Sequence, residues 1–175
     1  MADPQTIKEA FKRNQKMLKL RPSKAKSTAT TKVRLFDGTT CEVEHKHWKF
    51  KVDIGTSEGG NDAGPGPGIL ERGALGSCLA IAYSQRAAVL GIPIDKIEVD
   101  VESDFDARPM LHLSDNPPGF KAMRYKVYIE SPAPEDNIMQ LIEEADSHSP
   151  VLDDFSRAIP VEREVTIKST EKGIS

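Results

Sequence analysis

Apolar residues recur along this chain with two periods, and the changes of period divide it into elements. From Lys32 the period is two: Val33 and Leu35 lead into Asp37-Gly38, a strong hairpin signal, and residues 39–45 alternate again. A β-hairpin is expected there. Cys41, Val43 and His45 have one parity, whereas Trp48, Phe50, Val52 and Ile54 have the other. The phase therefore slips near Lys46, where a bulge or tight turn belongs. Further on, Ile97, Val99 and Val101 alternate with Glu98, Asp100 and Glu102, a strand with one face on the core and one in water. Met123, Tyr125, Val127 and Ile129 form another, and a final strand is expected over residues 161–168. The long stretch 104–119, with its Asn116-Pro-Pro-Gly turn, is a loop of a length that often borders a site.

The helical period appears three times. Asp3-Pro4 opens a first helix with Ile7, Ala10, Phe11, Met17 and Leu18 on roughly one face, and the polar, breaker-rich residues 22–31 link it to the rest. This divides the chain into an N-terminal basic helix with its linker, 1–31, and a main domain, 32–175. The stretch 64–91 reads as one long helix. Gly66 serves as N-cap and Pro67 sits at the first helical position, where its missing N–H costs nothing; Gly91 followed by Ile92-Pro93 supplies the stop. Its apolar residues, from Ile69 to Leu90, cover nearly the whole circumference, so burial on all sides is expected. The apolar run 74–83 is only about half of the ~20 residues a bilayer needs, so the helix reads as buried in protein. A third helix starts at Ala133-Pro134-Glu135-Asp136, with its acids on the favourable end of the helix dipole and Ile138, Leu141, Ile142 and Ala145 on one stripe. Pro150 is expected to end it, and a short helical turn follows over 151–157.

Composition changes this picture in one respect. The formal net charge of −3 hides ten Lys/Arg against only Asp3 and Glu9 within residues 1–34, which leaves the remainder at −11. A basic arm can serve nucleic acid, but this one lacks interleaved aromatics and any binding motif, which argues against that partner. The N-terminal residues are charged where a signal peptide needs its apolar region, and no span follows, so a cytoplasmic protein without membrane association is expected. Two cysteines, Cys41 and Cys78, do not make a disulfide framework. The Gly/Pro-rich residues 55–68 have neither a G-x-G-x-x-G register nor a closing Gly-Lys-Ser/Thr, so they do not read as a phosphate loop, and no cofactor is expected.

Cys78 stands in the middle of the long helix among small residues, Ala74, Gly76, Ser77 and Ala82. The segment Gly64-x-Gly-Pro67 to Ala74-Leu-Gly-Ser-Cys78-Leu-Ala resembles the OsmC/Ohr family of peroxide-stress thiol proteins. The resemblance covers about residues 32–168. It implies an α+β fold, with antiparallel sheets wrapped around a long buried central helix, and an intertwined homodimer with sites at the subunit interface. It also implies an organic hydroperoxide or peroxide reductase acting through Cys78. A second match lies at Ala145-Asp-Ser-His148-Ser149-Pro150, where the family places its second cysteine before proline. Here that residue is Ser149, so a sulfenic acid at Cys78 has to be resolved by an external thiol reductant. The family's glutamate just after the turn proline is Gly68 here; Glu71, two turns before Cys78 on the same face, is the nearest acid. The family's hairpin arginine has one candidate, Arg34. The rival from another class is a non-enzymatic dimer whose pocket binds an apolar small molecule.

Structural readings compete with each chemical one. Without the resemblance, a cysteine in an apolar helix is core packing, and Cys41, on a strand face with Val43, reads so. His45 and His47 share a strand face, but two ligands without a third do not make a metal site. His148 beside Ser149 suggests a hydrolase pair or a pocket residue, yet neighbours on a helix point about 100° apart, and capping the helix end is the simpler role.

Overall fold

The structure is a computed structural model, and it describes residues 3–169. Helix α1 (Pro4–Leu20) is capped by Asp3, whose side chain accepts from Thr6 N–H. Strands β1 (Lys32–Asp37), β2 (Thr40–His45) and β3 (Trp48–Val52) form an antiparallel sheet in that order. Long helix α2 (Pro67–Leu90) follows, then strands β4 (Lys96–Asp104) and β5 (Ala122–Glu130), which pair antiparallel as a second sheet. Helices α3 (Glu135–Asp146) and α4 (Pro150–Ser156) close the order.

The mixed α+β architecture that the resemblance implies is present, and α2 sits at its centre. Gly66 is extended as the N-cap, Pro67 begins the helix, and Gly91 ends it at φ 76°, a left-handed conformation that glycine adopts without cost. Leu75, Leu79, Tyr83 and Ala87 form a buried stripe that meets Leu141 and Ala145 of α3, with Ile97, Val99, Val101, Met123 and Val127 of the β4–β5 sheet packed around them. Gly76 sets the approach of helix to sheet: a Cβ there would lie 3.2 Å from Val101 Cγ2. Helix α1 also packs on α2.

Burial differs from the expectation of a helix covered on all sides. In the single chain α2 is buried along one stripe, while Ile69, Ile81 and Leu90 are exposed. The reason lies in the β1–β3 sheet, which contributes nothing to the core around α2. Its cross-strand partners place Val33 opposite Val43, Leu35 opposite Cys41, Cys41 opposite Val52, and His45 opposite Trp48. One face is therefore apolar and largely uncovered. The opposite face carries Arg34, Glu42, Glu44 and Lys49 in cross-strand ion pairs. The expected phase slip is a two-residue turn at Lys46 and His47, with Lys46 at φ 54°.

Two expectations are corrected. Residues 161–168 are not a strand: they run without regular structure, with Val161 and Ile167 almost fully exposed. Alternation alone makes no strand, because a strand needs an edge to bond to and, among the described residues, no strand receives these. Pro150 does not end α3. The helix stops at Asp146, and Pro150 is the first residue of α4, with Ser149 as N-cap.

Candidate active site

Cys78 and Ser149, 71 residues apart in sequence, meet with Sγ 3.5 Å from Oγ. Helix α2 brings the thiol and the junction of α3 with α4 brings the hydroxyl. Cys78 is half-buried, and Ser149 is 2% exposed. The hydroxyl has a second contact: its oxygen accepts from Leu152 N–H at 3.4 Å, as an N-cap side chain does. A hydroxyl oxygen has two lone pairs, so either the thiol or the hydroxyl can donate across the Cys78–Ser149 contact. A hydroxyl in this place can accept from the thiol and can donate to an oxygenated sulfur.

A three-membered clamp holds this junction in place. Tyr83 Oη donates to Asp146 Oδ1 at 2.6 Å and Tyr125 Oη to Asp146 Oδ2 at 2.7 Å. Asp146 lies three residues before Ser149, so the clamp ties the end of α3 to both α2 and β5. Burial, with the Asp146 carboxylate as the further cause, pushes the Tyr83 phenol far above its ordinary value and that of Tyr125 up to about 12. Both phenols therefore stay protonated and keep donating.

The other residues predicted from sequence lie apart from this pair. Glu71 is exposed on the second turn of α2 and borders a cavity, and it forms no hydrogen bond to Cys78 or Ser149. Arg34 is spent on the charged face of the hairpin sheet, 2.9 Å from Glu44. His148 is exposed, its Nδ1 2.8 Å from Glu144 O and 2.9 Å from Ser147 Oγ, the position of a helix-end cap. Cys41 is half-buried between Leu35 and Val52. The two histidines diverge: His45 Nδ1 is 2.9 Å from Thr30 O, and His47 sits in the turn with its ring against Trp48.

Asp53 is the other buried polar centre. Its carboxylate accepts from Thr39 Oγ1 at 2.6 Å, Thr40 Oγ1 at 2.7 Å, and the N–H groups of Ile54, Asn61 and Ala63. These donors, led by Thr39, hold its carboxyl well below the usual carboxylate range. The effect is to fasten the end of β3 and the loop leading to α2 onto the first hairpin turn.

A cavity of about 1240 Å³ opens between the start of α2, β5, the loop 105–121 and α4. Leu75 and Leu152 line it. They flank the Cys78–Ser149 pair, but neither Cys78 nor Ser149 itself lines the cavity. The sequence reading missed three things here: the tyrosine clamp, the lining arginine Arg72, and the capping role of Ser149. Of these only the last had a local signal, Ser149 directly before Pro150.

Residues 59–164 match the family model described as OsmC-like protein. No curated protein matches the chain. Among solved structures, an OsmC-like protein from Mycoplasma pneumoniae superposes with a TM-score of 0.65 at 17% identity, covering 74% of this chain and 88% of that one. An organic hydroperoxide resistance protein OsmC from Legionella pneumophila superposes with a TM-score of 0.54 at 19% identity, covering 73% and 90%. An organic hydroperoxide resistance protein from Elizabethkingia anophelis does so with 0.52 at 18%, covering 73% and 89%. At such identities the likeness to these structures is one of fold. Among the described residues no helix is long and apolar enough to cross a membrane.

Proposed function

Because the chain belongs to the OsmC-like protein family, we propose that it works as a one-cysteine reductase of organic hydroperoxides, with Cys78 as the reacting thiol. The observation that carries this reading is the buried Ser149 hydroxyl 3.5 Å from Cys78 Sγ, at the place where the resemblance puts a second cysteine. In the reaction the Cys78 thiolate attacks the terminal peroxide oxygen and the O–O bond breaks. The organic alkoxide takes up a proton and leaves as the alcohol, and Cys78 becomes a sulfenic acid. With serine at 149 there is no neighbouring thiol to condense with it. An external thiol forms a mixed disulfide and releases water, and a second external thiol returns Cys78 to its reduced form. Within one chain, among the described residues, neither Glu71 nor Arg34 is hydrogen-bonded to Cys78.

A homodimer is part of the same proposal. Val33, Leu35, Trp48 and Phe50 on the open face of the hairpin sheet, and Ile81 on α2, are apolar side chains that a second copy would cover. Residues 161–167, alternating and unpaired, are a further segment that a partner could take up. Sedimentation at low micromolar concentration checks this, and a stable folded monomer refutes it.

The non-enzymatic reading is favoured by a different observation, the cavity that Cys78 does not line. Peroxide titration separates the two. With cumene hydroperoxide and dithiothreitol, Cys78→Ser is expected to lower peroxide consumption by at least about a hundredfold, the range in which losing an essential group falls. Cys41→Ser is expected to keep most of it, and mass spectrometry of the parent should find sulfenic acid at Cys78. If both variants consume peroxide like the parent, the reductase reading fails.

A further inference from the structure

We infer that the cavity beside α2 is a binding site for a carboxylate on an apolar body, with Arg72 holding the carboxylate. Arg72 is half-buried and lines the cavity, and its Nη1 donates to Ser103 Oγ at 3.1 Å. Among the described residues no carboxylate lies within ion-pair distance of it, whereas Lys121, the other cation lining the cavity, is 3.0 Å from Asp106. A guanidinium has five N–H donors in a planar fork, and one hydroxyl uses one of them. The remaining donors match the two oxygens of a carboxylate side by side.

Space for that group exists because residue 68 is glycine. A Cβ built on Gly68 would lie 3.7 Å from Arg72 Nη1 and 3.4 Å from Phe120 Cζ, so the volume a side chain would fill faces both the guanidinium and an aromatic ring. Phe120 and Phe105 stand edge to face with centroids 6.1 Å apart, and Met110, Met123, Leu152 and Phe155 continue the apolar wall. An apolar wall with a few convergent polar groups is the composition of a small-molecule site. The lining also carries the carboxylates of Asp53, Glu58, Asp62 and Glu71. Asp53 keeps its charge but turns it to its own donors, and Glu58, Asp62 and Glu71 are exposed, where water screens them.

The site deepens the binding reading and does not depend on the chemistry of Cys78. Calorimetric titration with decanoate, decan-1-ol and decylamine compares one apolar body under three head groups. Decanoate is expected to bind at least about tenfold more tightly than decanol, the factor that charge-assisted hydrogen bonds supply. Arg72→Gln keeps a hydrogen-bonding group for Ser103 and is expected to bring decanoate down to decanol without weakening decanol. Gly68→Glu sets a carboxylate of the chain itself before Arg72 and should remove the same preference by occupying the fork. Arg72→Lys should retain part of it. Cys78→Ala should keep the preference whole while peroxide consumption falls, so the failure of one reading is distinguishable from the failure of the other. Equal binding of the three ligands, no measurable decanoate binding, or a preference that survives Arg72→Gln overturns the assignment.

Discussion

Both sheets of this molecule alternate apolar and polar residues, but the apolar faces they build end in different surroundings. In β4–β5, Ile97, Val99, Val101, Met123 and Val127 lie against the buried stripe of α2. In β1–β3, Val33, Leu35, Trp48 and Phe50 share a face of the same kind and remain 46–66% exposed. Alternation specifies which residues face one way and leaves open what covers them. For β4–β5 the cover is a helix six residues upstream in the same chain; for β1–β3 no element among the described residues supplies it. The polar faces do not decide the matter, since the exposed ion pairs of Arg34 and Lys49 with Glu42 and Glu44 are screened by water and contribute little.

The sharpest way to break the comparison is to truncate one apolar residue on each side. Leu79 is fully buried, and Leu79→Ala is expected to cost about 2–5 kcal/mol of unfolding free energy, measured by urea denaturation at fixed protein concentration. Phe50→Ala, in the uncovered face, should cost the isolated chain no more than about 0.5 kcal/mol and instead weaken self-association in sedimentation. If Phe50→Ala destabilises a monomer as much as Leu79→Ala does, the hairpin sheet has a cover within the chain and the contrast is wrong.

The join between the two regions is Asp53, and its charge makes that join sensitive to acid. Its folded carboxyl titrates well below its ordinary 3.8, so the unfolded state binds the proton first. The stabilisation is complete above about pH 5 and is lost progressively as pH falls below the ordinary carboxylate range toward the folded value. Asp53→Asn removes an acceptor oxygen and the charge together. Amide exchange at neutral pH should then speed up in residues 39–63 while that of Leu75, Leu79 and Tyr83 is unchanged. Exchange that rises equally throughout α2 would mean that the hairpin and the core open as one unit.

On the core side, the tyrosine clamp gives a shift at the opposite end of the pH scale. Tyr125 is raised from 10.0 to about 12, so the folded state holds its proton longer than the unfolded chain. The stability it adds is full below pH 10 and is lost as pH rises from 10 to 12. Tyr125→Phe should cost about 1 kcal/mol at pH 7, one hydrogen bond's worth, because Tyr83 still serves Asp146. It should also flatten the decline between pH 10 and 12. An equally steep decline in the variant would place the alkaline sensitivity elsewhere.

The contrast between the sheets also explains what could be read from the chain. The Asp37-Gly38 turn, the phase slip at Lys46, and both ends of α2 were legible because each depends on residues within a few positions of one another. Residues 161–168 were misread because their alternation is a local signal and a strand needs a distant neighbour. The uncovered side of α2 was legible only in part: apolar residues at Ile69 and Ile81 call for burial without naming the chain that provides it. Within the candidate site, the proximity of Ser149 to Cys78 came from resemblance to a family and from nothing local. Asp146, between two tyrosines 63 and 21 residues before it, had no signal of any kind. Arg72 was passed over because its single partner, Ser103, lies on another element.

A small change in stability and the most specific test of the site come from Ser149→Cys, which replaces one atom. Sulfur is a weaker acceptor than oxygen, so the cap on Leu152 N–H is weakened and about 0.5–1 kcal/mol should be lost, the usual range for a lost N-cap. In exchange a thiol stands where the hydroxyl lies 3.5 Å from Cys78 Sγ. A disulfide needs its sulfurs at about 2.05 Å, so they must close by roughly 1.5 Å, within reach of side-chain rotation if the backbone separation allows it. Stoichiometric cumene hydroperoxide would first convert Cys78 to sulfenic acid; the new thiol then attacks that sulfur and releases water, leaving one intrachain bridge. Mass spectrometry under non-reducing conditions should find Cys78 linked to residue 149, and dithiothreitol should turn the variant over faster than the parent. A peroxide-treated variant with Cys78 over-oxidised and the new thiol free would show that the two side chains do not meet in solution, and the site built on their contact would have to be abandoned.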